Sequence, residues 1–241
     1  MEITKLDFDS ELSGHAIGKC IFNKPLYNAD NDLILKFKEY DLVYLLTKFD
    51  RDVTRFLENF DSILADIKVT LSGNIQELKS TYSKLNKEDF SSAKDADRLI
   101  QLGLDLYKES RFFFDVNTHR LGKRIYQAWI ENSLNRSMAE EILVHREENG
   151  RVIGFVTVKI ESGFVEPVLV KIDESLTRKG YGKILMSKFF TYISEKNPDI
   201  DIRIYTQLRN LAAIMFYQSF GLKVSDYDFV YHMYPNGFMS L

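Results

Sequence analysis

Two runs decide how this chain is read: Thr177-Arg178-Lys179-Gly180-Tyr181-Gly182, and then Asn210-Leu211-Ala212-Ala213-Ile214-Met215-Phe216-Tyr217-Gln218-Ser219-Phe220-Gly221. Before the first run, Val165 to Ile172 reads as a buried strand. After it, roughly Gly182 to Lys196 reads as a helix, with Ile184, Leu185, Phe189, Tyr192 and Ile193 at helical spacing. A glycine-rich turn between strand and helix lets the backbone approach an anion, and the first N–H groups of a helix have no partner within it. Gly180 and Gly182 leave that backbone bare, while Arg178, Lys179 and Lys183 surround it with positive charge. The turn suits a diphosphate. No G-x-x-x-x-G-K-[ST] run occurs, and Ile184 and Leu185 follow where a third glycine of G-x-G-x-x-G is needed, so neither ATP nor NAD is supported.

In the second run, Ile202 to Tyr205 alternates as a strand and Thr206-Gln207-Leu208-Arg209 reads as a loop. Asn210 suits the N-cap of a helix from Leu211 to Ser219, which Gly221 closes. Asn210, Ala213 and Tyr217 are three and four apart and share a face; the small Ala213 admits something flat or extended, one turn before the Tyr217 phenol. Taken alone, Tyr217 reads first as an ordinary half-buried core tyrosine.

Together the runs resemble the GNAT superfamily of acetyl-CoA-dependent N-acetyltransferases. Its first pattern is [Q/R]-x-x-G-x-[G/A], from which this chain departs at Thr177. Its second is N-x-x-A-x-x-F-Y-x-x-x-G-[F/Y], matched at Asn210, Ala213, Phe216, Tyr217 and Gly221, with Leu222 in the final aromatic position. The resemblance implies an α/β fold, a mixed and largely antiparallel central sheet flanked by helices, with cofactor bound where two strands splay apart. Further runs look like the TDP-fucosamine acetyltransferase group: Ser110-Arg111-Phe112, Tyr126 to Ser133, Thr206-Gln207, Tyr231-His232-Met233-Tyr234, and Phe8-Asp9-Ser10-Glu11 with Gly14 and Ile17-Gly18. Phe8 stands where that group has tryptophan, and Leu12-Ser13 where it has two phenylalanines. That likeness implies as acceptor the amine of a dTDP-linked aminodeoxysugar bound for surface polysaccharide, and a homodimer.

The residues are expected to divide the chemistry as follows. Main-chain groups of Val170, Lys171 and Ile172 pair with the pantetheine arm as an added strand would. Amides of Arg178, Lys179, Gly180, Tyr181, Gly182 and Lys183 hold the pyrophosphate, and N–H groups around Val168 to Val170 stabilise the oxyanion. Tyr217, protonated at neutral pH, is the general acid, with Asn210 positioning cofactor beside Ala213. On the acceptor side stand Arg111, Glu166, Gln207, Tyr231 and His232. Glu166 is either a base acting through water or a solvated strand-end carboxylate; His232 is either a base or a hydrogen-bonded core histidine. Arg111 reads as a phosphate partner or as a helix-end arginine. Other functions compatible with the pattern are acetylation of a protein or peptide amine, and acyl-CoA binding without catalysis.

Composition agrees. The 241 residues carry a net charge of −3, with 45% hydrophobic and 13% aromatic content, which supports a packed core and requires no basic face for nucleic acid. The single cysteine, Cys20, excludes an internal disulfide and fits a reducing cytoplasm; four scattered histidines lack metal-ligand spacing, so no metal is expected. No membrane insertion is expected, because no run of about 18 apolar residues occurs. Residues 1–85 read as a smaller α/β lobe, with β-like runs at Gly18–Phe22, Leu42–Phe49 and Ile63–Leu71 around a polar loop at Tyr27–Asp32. Residues 86–241 read as the acetyltransferase domain, in the order α-α-β-β-β-α-β-α-β. Its helices fall at Ala93–Ser110 and near Arg120–Asn135, an Asn-Gly hairpin joins Ala139–Arg146 to Val152–Glu161, and the last strand is Asp228–Tyr234. Pro167 inside a strand implies a bulge or an unpaired edge there.

Overall fold

The computed structural model describes residues 2–22, 31–48, 51–79 and 84–241. They form β1 (Ile3–Lys5), α1 (Asp7–Ser13), β2 (Ile17–Phe22), α2 (Asn31–Phe37), β3 (Leu42–Thr47), α3 (Arg51–Leu57) and β4 (Asp61–Asn74). Then come α4 (Ala96–Leu104), α5 (Arg111–Phe114), α6 (His119–Leu134), β5 (Glu141–Arg146), β6 (Val152–Glu161), β7 (Phe164–Glu166) and β8 (Val170–Ile172). The chain ends with α7 (Tyr181–Lys196), β9 (Asp201–Gln207), α8 (Leu211–Gln218) and β10 (Lys223–Tyr234). Most of the polar run Tyr27–Asp32, and Phe49, lie outside the described residues.

The strands make one sheet in the order β1-β2-β3-β10-β4-β9-β7-β6-β5, with β8 pairing β6. Among the described residues only β2 with β3 and β7 with β9 run parallel, so the sheet is mixed and mostly antiparallel, as expected. β4 pairs with β10 along its length and with β9 from Lys68 to Asn74. Strands from both sides of position 85 therefore share this sheet. Both β4 and β10 extend beyond the predicted runs. The added start of β10, Lys223 to Tyr227, is exposed throughout and carries no apolar alternation to announce it.

α7 and α8 cover one face, where Val69, Leu71, Val156, Val158, Val165, Ile202 and Ile204 meet Leu185, Met186, Phe189, Ile193 and Tyr217. On the other face, α4 and α6 bring Leu99, Leu102 and Ile130 onto Ile142, Val144 and Phe155. Beside them Phe112, Leu121 and Ile125 pack on Ile17, Tyr44, Leu46 and Val230. The helix predicted over Ala93–Ser110 is not continuous. A 3-10 turn at Ala93–Asp95 precedes α4, and another at Asp105–Glu109 follows it. At the start, the Asp95 carboxylate accepts from the Ser92 N–H at 2.8 Å and pairs with Arg146 at 2.8 Å, side-chain bonds that compete with a regular helical ladder. Near its end, a Cβ on Gly103 would lie 2.1 Å from Ile130 Cδ1, so glycine permits the close crossing of α4 over α6. The predicted hairpin forms as β5 and β6, with Gly150 at φ 85° in its turn.

Candidate active site

The strand expected from Val165 to Ile172 is broken in two. Pro167 has no N–H for a ladder, and the pairing with β6 slips by one residue between Lys159↔Glu166 and Val156↔Val170. β7 lies between β6 and β9, whereas β8 pairs with β6 alone, so β8 and β9 part after the Val165↔Ile202 pair. On the β6 side, Thr157 N–H donates to the Leu169 carbonyl at 2.9 Å and Asp173 N–H to that of Ile153 at 2.8 Å. Antiparallel ladders alternate, so the main chain of Val170 and Ile172 points the other way, into the gap facing β9. These are the free edge groups expected of a site that receives an extended arm. Lys171 differs from expectation: its main chain turns to β6, and its ammonium pairs with Glu174 at 3.2 Å. Leu169 N–H is likewise taken, by Thr157 Oγ1 at 2.9 Å, which removes it from the oxyanion candidates.

The turn before α7 is shaped by two left-handed residues, Arg178 at φ 62° and Gly180 at φ 88°. Gly180 is the residue preceding α7, and the N–H groups of Tyr181 and Gly182 open the helix without a carbonyl four residues back. Lys183 N–H instead donates to the Gly180 carbonyl at 3.0 Å, so Lys183 offers an anion only its side chain. A Cβ at Gly180 would meet nothing within 4 Å; glycine is needed there for its backbone angle, facing open space. At Gly182 a Cβ would lie 3.3 Å from the Phe216 ring, so this glycine serves the contact of α7 with α8 and not the approach of a ligand. Gly180→Val is therefore expected to weaken CoA binding by about 10-fold or more, since a β-branched residue resists positive φ and its side chain would stand in the open space in front of the turn. Calorimetric titration with CoA measures it, and unchanged affinity would reduce the turn to a structural feature.

At the second run, Asn210 Oδ1 accepts the Ala213 N–H at 3.1 Å, the cap that the sequence predicts. Tyr217 is buried in the cluster that Val170, Ile172, Ala213 and Phe216 flank. Burial pushes its phenol above the ordinary tyrosine range, and among the described residues its hydroxyl has no hydrogen-bond partner. β8, the start of α7 and α8 thus adjoin one another, with Gly182 beside Phe216 and Ile172 and the Tyr217 phenol in the cluster they flank.

The acceptor-side candidates do not all gather there. Glu166 ends β7 at the fork. Val165 faces α7 and α8, so Glu166 turns to the opposite face, where Lys159 is 3.8 Å away and burial raises its carboxyl above the usual range. Gln207 ends β9 and pairs with Lys68, and its carbonyl accepts the Asn210 N–H at 2.9 Å. Beside it a groove is lined by Leu64, Asp66, Leu208, Arg209 and Leu211. His232 lies on β10, about 10 Å from β9 at two strand spacings. It is fully buried, with Nδ1 2.6 Å from an Asp115 carboxylate oxygen that also accepts the Tyr234 hydroxyl. Burial, ahead of the opposing Asp115 contact, lowers its pKa, so its place is that of a core histidine. Tyr231 packs on the other face of β10, among Val43, Leu45 and Met233, away from Arg111. Arg111 opens α5 with its guanidinium over the Tyr44 ring.

The sequence reading missed Lys188. It sits in α7 with 5% of its side chain exposed, 2.5 Å from Asp89 and 3.0 Å from the Val144 carbonyl, and fastens α7 to β5 and to the segment before α4. A lone lysine inside Leu185-Met186-Ser187-Lys188-Phe189-Phe190 was the available signal.

Residues 104–222 match the model of the acetyltransferase (GNAT) family. The spore coat polysaccharide biosynthesis protein SpsD of Bacillus subtilis (strain 168) is 26% identical over 147 residues, which cover 58% of this chain and 48% of that protein. The mycothiol acetyltransferase of Clavibacter sepedonicus is 21% identical over 140 residues, 58% of this chain and 43% of its own length. The chain spans about half the length of these curated relatives. Among solved structures, a GCN5-related N-acetyltransferase from Kribbella flavida superposes with a TM-score of 0.54 at 12% identity, covering 92% of this chain and 82% of that one.

Proposed function

Since the chain belongs to the GNAT acetyltransferase superfamily, whose pattern it carries on that family's fold, we propose that it transfers acetyl from acetyl-CoA to the amine of a nucleotide-linked aminodeoxysugar. The observation that carries the reading is an adjacency: an unpaired β8 edge, a helix start with free amides and a buried phenol lie beside one another. Val170 and Ile172 offer main-chain groups to an extended pantetheine arm, and the amides of Tyr181 and Gly182 offer two donors to its pyrophosphate. Acetyl-CoA supplies the activated thioester. Main-chain N–H groups in the gap, Val168 and Val170 first, stabilise negative charge on the carbonyl oxygen, and Tyr217 donates to the departing sulfur. Glu166, on the opposite face at the fork, receives the amine proton through water.

The acceptor class rests on the likeness to the TDP-fucosamine group and on SpsD being a polysaccharide biosynthesis protein. To this reading belong a dTDP-linked acceptor, work in the cytoplasm and association of two chains. Among the described residues no helix is long and apolar enough to cross a membrane. The test is CoA release from acetyl-CoA with a panel of dTDP- and UDP-linked 3-amino and 4-amino deoxysugars, against free amines and peptides. Release with one nucleotide sugar supports the reading. Release only with peptides or free amines replaces the acceptor, and no release while acetyl-CoA binds overturns the reading in favour of a binding protein.

A further inference from the structure

Lys19, Tyr44 and His232 form a row across three neighbouring strands: Lys19 pairs with Tyr44 between β2 and β3, and Tyr44 with His232 between β3 and β10. Strand alternation places Lys19 on the same face as Ile17 and Tyr44, the face that α5 and α6 cover. α5 brings Arg111 over this row, its guanidinium carbon 4.7 Å from the centre of the Tyr44 ring and 4.4 Å from that of Phe112.

The charges around the row are unevenly satisfied. Lys68 pairs with Asp228 at 3.1 Å, and Arg209 with Asp66 at 3.3 Å. Lys19 and Arg111, among the described residues, make no ion pair. Arg111 Nε, the Tyr44 hydroxyl and His232 Nε2 are buried without a hydrogen-bond partner, and the remaining such atom among the described residues, the Tyr107 hydroxyl, belongs to the same cluster. Lys19 is held below the ordinary lysine range by burial first and then by the charges of Lys68 and Arg111. Asp9 stands beside Tyr44 and Arg111 and interacts with both, while burial raises its carboxyl above the usual range. Buried donors without partners are costly, and an incoming anion would give Arg111 Nε an acceptor and the Lys19 ammonium a counterion.

We propose that Lys19, Arg111 and the Tyr44 hydroxyl form a second anion-binding subsite, apart from the turn at 178–182, that takes a phosphate of the acceptor. The inference rests on the nucleotide-sugar reading and gives the diphosphate of that acceptor a place. Donors carried on one face by β2, β3 and α5 suit a diphosphate, whose two phosphoryl groups each keep two free oxygens. From β3, which carries Tyr44, to β9 at the edge of the gap is three strand spacings, about 14 Å, and from β2, which carries Lys19, about 19 Å, a span that calls for a sugar ring together with its diphosphate.

The experiment saturates the protein with CoA, which fills the turn at 178–182, and titrates inorganic pyrophosphate and dTDP by calorimetry. Wild type is expected to bind both. Lys19→Gln and Arg111→Gln are expected to lose about 10-fold or more, and Lys19→Arg to recover most of the loss, with CoA affinity unchanged in all. Equal affinities across the four proteins overturn the subsite. Lys19 is only partly buried, so Lys19→Gln carries the test should Arg111→Gln fail to fold. If a dTDP-aminosugar is acetylated with the same KM by wild type and Lys19→Gln, the acceptor reading stands and the subsite falls. If pyrophosphate binding depends on Lys19 while no nucleotide sugar is acetylated, the subsite stands and the acceptor reading falls.

Discussion

Tyr217→Phe is expected to lower turnover by about 100-fold while leaving acetyl-CoA affinity unchanged. The ring stays, so the packing with Phe216, Val170 and Ala213 stays; only the hydroxyl is lost, and it makes no hydrogen bond within the described residues. Burial keeps the phenol protonated well beyond neutral pH, so it is always available as a donor. The same burial limits how far the proton travels. An ordinary thiol has a pKa of about 8.5 and an ordinary phenol about 10, so complete transfer to a free thiolate runs uphill, and Tyr217 acts mainly by hydrogen-bonding the sulfur as charge develops. That places the effect near the lower end of the range for general acids. Stopped-flow CoA release gives turnover and calorimetry gives affinity. Equal turnover in the two proteins removes Tyr217 from the chemistry, and a loss of affinity alone makes it a packing residue.

Lys188→Met is expected to destabilise the protein by about 3–5 kcal/mol, because it leaves the Asp89 carboxylate buried without its cation. Asp89 retains the Asn86 N–H at 2.8 Å, a hydrogen bond that does not replace the lysine's charge. The Val144 carbonyl loses its lysine donor as well. Replacing both charged residues by apolar ones of similar volume is expected to restore most of the loss, since a pair removed together leaves no orphan charge. Urea unfolding of the single and double variants measures both effects. A loss below about 1 kcal/mol in Lys188→Met would mean that water reaches the carboxylate as it does at a surface pair.

What was legible in the sequence was local. The turn at 178–182, the cap at Asn210, the hairpin at Gly150 and the break at Pro167 each follow from residues within a few positions of one another, so spacing alone reveals them. Within those runs, the amides taken by neighbours, Lys183 by Gly180 and Leu169 by Thr157, depend on exact backbone angles that residue types do not encode. The acceptor side was less legible because it is assembled across the chain. Asp115 reaches His232 over a separation of 117 residues, and no periodicity in either segment points to the other. Arg111 could be singled out by its run, but its neighbours Lys19 and Tyr44 come from β2 and β3, whose parallel pairing no residue within either strand announces.

The seat of β4 between β10 and β9 also constrains how the molecule comes to be folded. Its two neighbours follow it by more than a hundred residues, Tyr234 pairing with Asp61 and Gln207 with Lys68. Pairings of such separation make high contact order, and the loop-closure entropy falls due before the contacts that repay it. On a ribosome β4 emerges early and waits with both edges open until β9 and finally β10 are made. In that interval its Ile63, Ile67, Val69 and Leu71 are candidates for chaperone capture or for pairing with a neighbouring nascent chain.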